Sequence, residues 1–287
     1  MSRGPGSMGP GAVSAASAEV AAIAVSDEDE GASARIWIAR LIFLLTFLGV
    51  WEACAGRFFD TFWTSSPSEI LKTLGEWIES GLLWRHLGVT FQETAAGFIS
   101  GSILAIVLAA LVGQNETVRR TLDPFVTALY GVPKVALAPL FIMWFGIGMA
   151  PKIVLAGVSV FFLVFFNTLG GVKEVDRRLI EAMQTMGASR FDIQTKLIFP
   201  ASLPWIFLGL KLGLPYGFIG AVAAEMMAAN SGIGFLTQQS AGQFNTAGVF
   251  AALLALMIVT TLLNEVLGLI EKRLFRWRED ASPRQTK

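Results

Sequence analysis

Lys134, Lys211, Glu225, Asn264 and Glu265 interrupt long apolar runs of this 287-residue chain. An ionisable group within lipid is costly, so each such residue is either tied to a neighbouring helix or part of a solute path. Glu225, in the string AAEMMAAN, fits either a gate or a structural tie, and as a carboxylate it is a poor direct ligand for an anion. Lys134, flanked by Pro133 and Pro139, could attract an anion or extend its ammonium to the interface; Lys211 has the same two options. No catalytic set accompanies them. His86 is the only histidine, with no second one to share a metal, and its default role is interfacial hydrogen bonding. Neither a nucleophile elbow nor a phosphate loop of the form G-x-x-x-x-G-K-[ST] is present, so the chain should not hydrolyse ATP alone. The single cysteine, Cys54, excludes an internal disulfide and a thiol metal cluster. We therefore expect no catalytic residue and no metal site.

The other informative segment is polar: Glu181 to Pro204, EAMQTMGASRFDIQTKLIFPASLP, between two long apolar runs. It reads as two short helices. Leu179, Ile180, Met183 and Met186 recur at helical spacing, Gly187 can close that helix in a left-handed C′ conformation, and Ser189 with Asp192 forms an S-x-x-D cap for the next. Pro200 and Pro204 are expected to stop the second helix and lead into the membrane. Small Ala182 beside Glu181 leaves a low-profile charged corner that could enter a groove on a partner; the plainer alternative is an ordinary helical hairpin.

The same residues resemble a signature of the permease subunits of bacterial ABC importers: Glu-Ala-Ala, three residues, Gly, nine residues, Ile-x-Leu-Pro. Glu181, Ala182, Gly187 and Pro200 fall in register, while Met183, Leu197 and Phe199 depart from it, Met183 by putting a bulky side chain at a small position. The similarity extends from about Phe91 to Trp277 through LDPFVTALYGVPKVALAPLFIMWFGIGMAPKI and AAEMMAANSGIGFL, strings most like the nitrate, sulfonate and taurine branch. The resemblance implies a type I ABC importer permease fold whose coupling helices, here Glu181, Ala182, Met183, Gly187, Ala188, Ser189, Arg190, Asp192 and Pro200, contact an ATPase. It further implies a second copy of the permease, two ATP-binding subunits carrying ATP and Mg, and a periplasmic or lipid-anchored solute-binding protein. The cargo would be a small solute such as a sulfonate, taurine or nitrate, with selection resting mainly on the binding protein.

Composition independently requires a bilayer. Hydrophobic residues make up 54% and charged residues 15%, too apolar for an ordinary soluble domain of this length. Runs near 20 apolar residues give six candidate spans in an all-α membrane protein: Ile36 to Ala55, Thr94 to Val112, Phe125 to Ile147, Ile153 to Val172, Trp205 to Ala228 and Ala247 to Ile270. Pro133, Lys134 and Pro139 interrupt the third, which should face the bundle interior because only protein or a water-filled cavity can satisfy freed backbone groups. Gly97 with Gly101, and Gly209 with Gly213 and Gly217, are small-residue seams that let helices approach closely. Pro215 adds an expected kink.

Basic residues set the expected orientation. Arg35, Arg40, Arg119, Arg120, Lys173, Arg177, Arg178, Arg190, Lys196, Lys272, Arg273, Arg276 and Arg278 fall on one side, against Arg57, Lys72, Arg85 and Lys152 on the other. The positive-inside rule then makes both termini and the Glu181 loop cytoplasmic, and the resemblance implies that the membrane is a bacterial inner one. The formal net charge of zero conceals this asymmetry and by itself says nothing about partners; neither nucleic acid nor an acidic macromolecule is suggested.

Four regions are expected. Residues 1–33, rich in Gly, Ala and Ser with the acidic run Asp27 to Glu30, form a disordered tail; Glu19 and that acidic run argue against a cleaved signal. Residues 34–90 hold the first span and an outer amphipathic helix starting near Pro67 and Glu69, with Trp63, Ile70, Leu71, Leu74, Trp77 and Ile78 spaced to give one apolar face. Residues 91–277 form the core permease domain with the loop at 173–204, and 278–287 a C-terminal tail. Spans three and five, with their prolines and glycines, are the best pathway elements. Pro133, Lys134, Trp144, Glu225, Met226 and Asn230 are the pathway or gate candidates, Trp144 and Phe145 with Met226 and Asn230 as a closing layer or an aromatic belt. The segment Asn230 to Phe235 reads as a tight outward turn. A self-sufficient secondary transporter is the rival class, but neither an inverted repeat nor a conspicuous intramembrane ion site is evident. A membrane enzyme is a poorer one.

Overall fold

A computed structural model describes residues 35–275 apart from Phe59. The expected tails, 1–33 and 278–287, lie outside the described residues. The chain divides into two units, residues 1–68 and 69–287. In the first, α1 (Arg35–Cys54) is apolar on all faces and buries none of its span within the chain, as a helix solvated by lipid would. A short α2 (Thr61–Thr64) follows. Glu52, near the end of α1, accepts from the backbone N–H of Ser68 at 3.0 Å and from its hydroxyl at 2.7 Å.

The amphipathic helix begins where its proline predicts: α3 spans Pro67–Glu79 and buries Ile70 and Leu74. Gly81, at φ +76°, separates it from α4 (Leu82–Gly113). This second span starts well before Thr94. Its 32 residues run about 48 Å at 1.5 Å per residue, longer than a hydrocarbon core of about 30 Å. Hydropathy hid the first three turns because His86 and Glu93 interrupt them, although both side chains are buried against protein.

The third span is not one helix. α5 (Glu116–Gly131) and the segment Lys134–Phe145, a 3₁₀ turn at Lys134–Leu137 followed by α6 (Ala138–Phe145), are bent by 84°. Val132 is extended (ψ 129°), as a residue before proline must be, and Pro139 takes the first turn of α6, where no donor is needed. Only α6 meets the expectation of an interior position, burying Ala138 and Phe141; α5 has no buried residue within a single chain.

The centre of the second unit is α7 (Met149–Glu174), which packs along α4 on one side and α10 (Phe199–Ala228) on the other. Ala105 and Ala109 of α4 meet Val160, Val164, Phe165 and Leu169 of α7 in a closed core. The glycine seams operate here. A methyl added at Gly101 would meet the Gly157 Cα at 2.9 Å, and one at Gly217 would meet Val160 at 3.0 Å. Between α7 and α10 lie α8 (Arg177–Thr185), α9 (Arg190–Ile193) and a π turn over Gln194–Ile198.

Pro200 and Pro204 do not stop the second loop helix. α9 runs through the π turn straight into α10, with Pro200 in the first turn and Pro204 and Pro215 inside. The wider π turn leaves room where a proline ring would otherwise press on the preceding turn. The turn predicted over Asn230 to Phe235 ends at Gly232 (φ +114°); from Ile233 the chain is helical as α11 (Ile233–Gly242), followed by α12 (Thr246–Leu274). Among the described residues five helices are long and apolar enough to cross a membrane, or six if the bent pair is one span.

Candidate functional site: a capped loop and a buried polar knot at opposite ends of the bundle

Each end of the loop helices has a local chemical cause. Asp176 caps α8 by accepting from the Arg178 N–H at 2.9 Å. Gly187 at φ +82° lets the chain reverse, and the Ala188 N–H bonds the Met183 carbonyl at 3.0 Å. Ser189 opens α9 with a complete capping box: its hydroxyl accepts from the Asp192 N–H at 3.1 Å, and the Asp192 carboxylate accepts from the Ser189 N–H at 3.2 Å. Lys196, at 2.6 Å, and Ser189 hold the Asp192 carboxyl down to about 2, so it stays charged. Arg177 lies 3.8 Å from Glu181, both exposed.

The hairpin buries little of itself. Glu181, Ala182, Gly187, Ser189 and Arg190 are exposed, Met183, Ala188 and Pro200 half-buried. Met186 is 86% exposed and Leu179 52%, so the apolar face read from their spacing points away from this chain. Phe191, 75% exposed, belongs to the same surface and was not singled out by its spacing. At the base of the loop the Trp205 indole N–H donates to the Glu174 carboxylate, and the Trp205 ring lies against Gly171, where an added methyl would come within 2.7 Å of it. The end of α7 and the start of α10 are thus clasped together beneath the hairpin.

The other end of α7 carries a buried knot of polar groups. Lys152 donates to Glu93 at 2.8 Å, with side chains 6% and 0% exposed. One turn away, the Thr90 hydroxyl donates to Glu225 at 2.7 Å and accepts from the Ile233 N–H at 2.8 Å. Glu225 also accepts from the Gly234 N–H at 2.6 Å, and the Gly232 N–H donates to His86 Nδ1 at 3.0 Å. The His86 ring stacks on Phe235 with centroids 5.8 Å apart. Gly232 is obligatory, since a side chain there would be strained and would meet the Glu225 carboxyl. Through Glu225 and Thr90 this geometry ties α4, α10 and the start of α11 together.

The remaining candidates are dispersed. Pro133 and Lys134 sit at the break between α5 and α6. Trp144 is 64% exposed and packs on Phe141 of its own helix, and Met226 and Asn230 are exposed. Lys211 pairs with Glu271 of α12, while Asn264 Oδ1 finds no partner among the described residues. Glu93 and Lys152 were missed. The available signal was their placement: a carboxylate and an ammonium stand immediately before the apolar cores of the second and fourth spans, at matching depth.

A helical membrane bundle with a broken span and an exposed, twice-capped loop is compatible with a transport permease, and the class follows from the relatives of the chain. Residues 101–276 match the family described as binding-protein-dependent transport system inner membrane component, and the chain belongs to it. It is 32% identical to a putative aliphatic sulfonates transport permease of Bacillus subtilis, over 84% of this chain and 88% of that protein. It is 31% identical to a formylaminopyrimidine transport permease of Halalkalibacterium halodurans, over 83% and 95%. The fold is shared with a chain of the inward-facing MetNI methionine ABC transporter: TM-score 0.57, 21% identity, 66% of this chain and 96% of that one. The protein is therefore a permease subunit of an ABC importer.

Proposed function

We propose that this permease carries a small organic or inorganic anion, delivered by an external solute-binding protein, and that its Glu181 loop is the handle by which a separate ATPase drives it. The assembly would contain two copies of this chain and two ATP-binding subunits holding ATP and Mg, in a bacterial inner membrane with the loop in the cytoplasm. The sulfonate relative supports an anionic cargo; the formylaminopyrimidine relative indicates that related chains carry other solutes.

The observation that carries this reading is the hairpin's combination of rigidity and exposure. Its two helices are fixed by caps rather than by burial, and they present Leu179, Met186 and Phe191 to a partner. The clasp between Trp205 and Glu174 makes a push on the hairpin a push on α7 and α10 together. Closure of the nucleotide sites would bring the two hairpins of a dimer together and switch the path from inward-facing to outward-facing; hydrolysis would reset it. The buried knot at the far end would keep α4, α10 and α11 moving as one body.

The test is uptake of labelled solute into proteoliposomes. The account expects ATP-dependent uptake only when the ATPase and the binding protein accompany the chain. Uptake by the chain alone, driven by an ion gradient, would overturn it in favour of a secondary transporter.

A further inference from the structure

A lysine within the membrane-spanning part of a bundle needs a counter-charge. Lys152 is paired with Glu93, and Lys211 with Glu271. Lys134 is different. Among the described residues no carboxylate lies within ion-pair distance of it; its ammonium donates to the Tyr130 carbonyl and sits 4.3 Å from the Tyr130 ring centroid and 5.1 Å from that of Phe162. Aromatic faces stabilise a desolvated ammonium without neutralising it. The positive charge is held in place and left available.

It borders a cavity of about 180 Å³ at the break between α5 and α6, lined by Tyr130, Lys134, Ser159, Leu163 and Tyr216 among others. The chain has two tyrosines, and both are here. Neither phenol hydroxyl has a hydrogen-bond partner among the described residues. Ser159 differs, because its hydroxyl already donates to the Leu155 carbonyl at 2.8 Å. The Lys134 ammonium and the side chains of both tyrosines line one small cavity, and the ammonium keeps two donor protons beyond the one spent on the Tyr130 carbonyl. The volume lies below the roughly 300–1,000 Å³ of pockets for drug-sized ligands.

We propose that Lys134, Tyr130 and Tyr216 form a transit site for a small oxyanion, a sulfonate or a nitrate-sized ion, within the permease itself. This inference rests on the transport reading above and assigns its cargo a contact inside the bundle. The oxyanion takes its charge-assisted bond from Lys134 and secondary bonds from the phenols. Because the aromatic rings keep the ammonium stabilised when the anion departs, binding is weak enough for passage, as conduction requires.

The test is equilibrium binding of radiolabelled ethanesulfonate to the full chain in lipid nanodiscs. We expect saturable binding, a loss of about tenfold or more in Lys134→Met and a smaller loss in Tyr216→Phe, with Lys134→Arg staying close to wild type. Tyr216→Phe removes only a hydroxyl and serves if Lys134→Met does not insert. Equal competition by nitrate assigns the site to the bare oxyanion, and weaker competition places an organic tail in the cavity; both support the shared chemistry. Wild-type binding in Lys134→Met and Tyr216→Phe, absence of saturable binding, or preference for choline over ethanesulfonate would overturn the proposal. If the wild-type complex still shows ATP-driven uptake in that event, only the transit site fails; if it does not, the transport reading fails as well.

Discussion

Lys152 Nζ lies 2.8 Å from Glu93 Oε1, the two side chains 6% and 0% exposed, so an ion pair fixes the start of α7 against α4. Its second oxygen, Glu93 Oε2, meets no N–H or hydroxyl donor among the described residues, and the Glu225 carboxyl lies close by. A buried pair in this state is costly to break from one side, because the surviving charge is stranded. We expect Lys152→Met to destabilise the protein by about 3–5 kcal/mol, and Lys152→Met combined with Glu93→Leu to recover much of that loss. Thermal unfolding in detergent measures both. Equal stability of the single variant and wild type would mean that the pair contributes nothing.

The glycine seam between α4 and α7 makes a sharper steric prediction. A side chain at Gly101 runs into the Gly157 backbone, whereas one at Gly75 in α3 meets nothing within 4 Å. Gly101→Leu should abolish stable insertion or lower the unfolding temperature strongly, while Gly75→Ala should be neutral or slightly stabilising. Size-exclusion profiles and unfolding curves of the two variants test the contrast.

The hairpin was largely legible in the sequence because its determinants are local. Gly187 as a left-handed stop and Ser189 with Asp192 as a reciprocal cap need only their neighbours, and both occur as read. The later prolines misled, since whether Pro200 ends a helix depends on the turn before it, and the π turn at Gln194–Ile198 has no comparable signature. Long-range pairing was the least legible. Nothing local says that Glu93 meets Lys152 or that Thr90 bridges Glu225 and Ile233, because those contacts are set by how far each helix slides along its neighbour. The early start of α4 was hidden for the same reason: His86 and Glu93 look like interfacial residues until their partners are seen.

The cap predicts a pH response with a definite sign. Asp192 outside the membrane is held at about 2, below its ordinary 3.8, first by Lys196 and then by Ser189. A depressed carboxyl contributes stability above its unfolded value and loses it as pH falls through the folded one. Hydrogen-exchange protection of α9, normalised for intrinsic rates, should hold above pH 3.8 and decline towards pH 2. Asp192→Asn should remove that pH dependence.

The clasp beneath the hairpin predicts a transmission defect. Gly171→Val would displace the Trp205 ring, and Glu174→Gln would weaken its hydrogen bond. Both variants should insert and still support ATP hydrolysis with the ATPase, while solute moved per ATP falls several-fold for Gly171→Val and less for Glu174→Gln. Unchanged stoichiometry in both would show that the clasp transmits nothing.

The most direct measurement is ATP-driven uptake and ATP hydrolysis, followed in the same proteoliposomes, for a chain carrying both Glu181→Lys and Gly187→Val. With charge reversed at the exposed corner and the left-handed turn blocked, we expect hydrolysis to continue while uptake falls to background. Uptake at the wild-type rate would contradict the assignment of the hairpin as the point where the motor grips the permease.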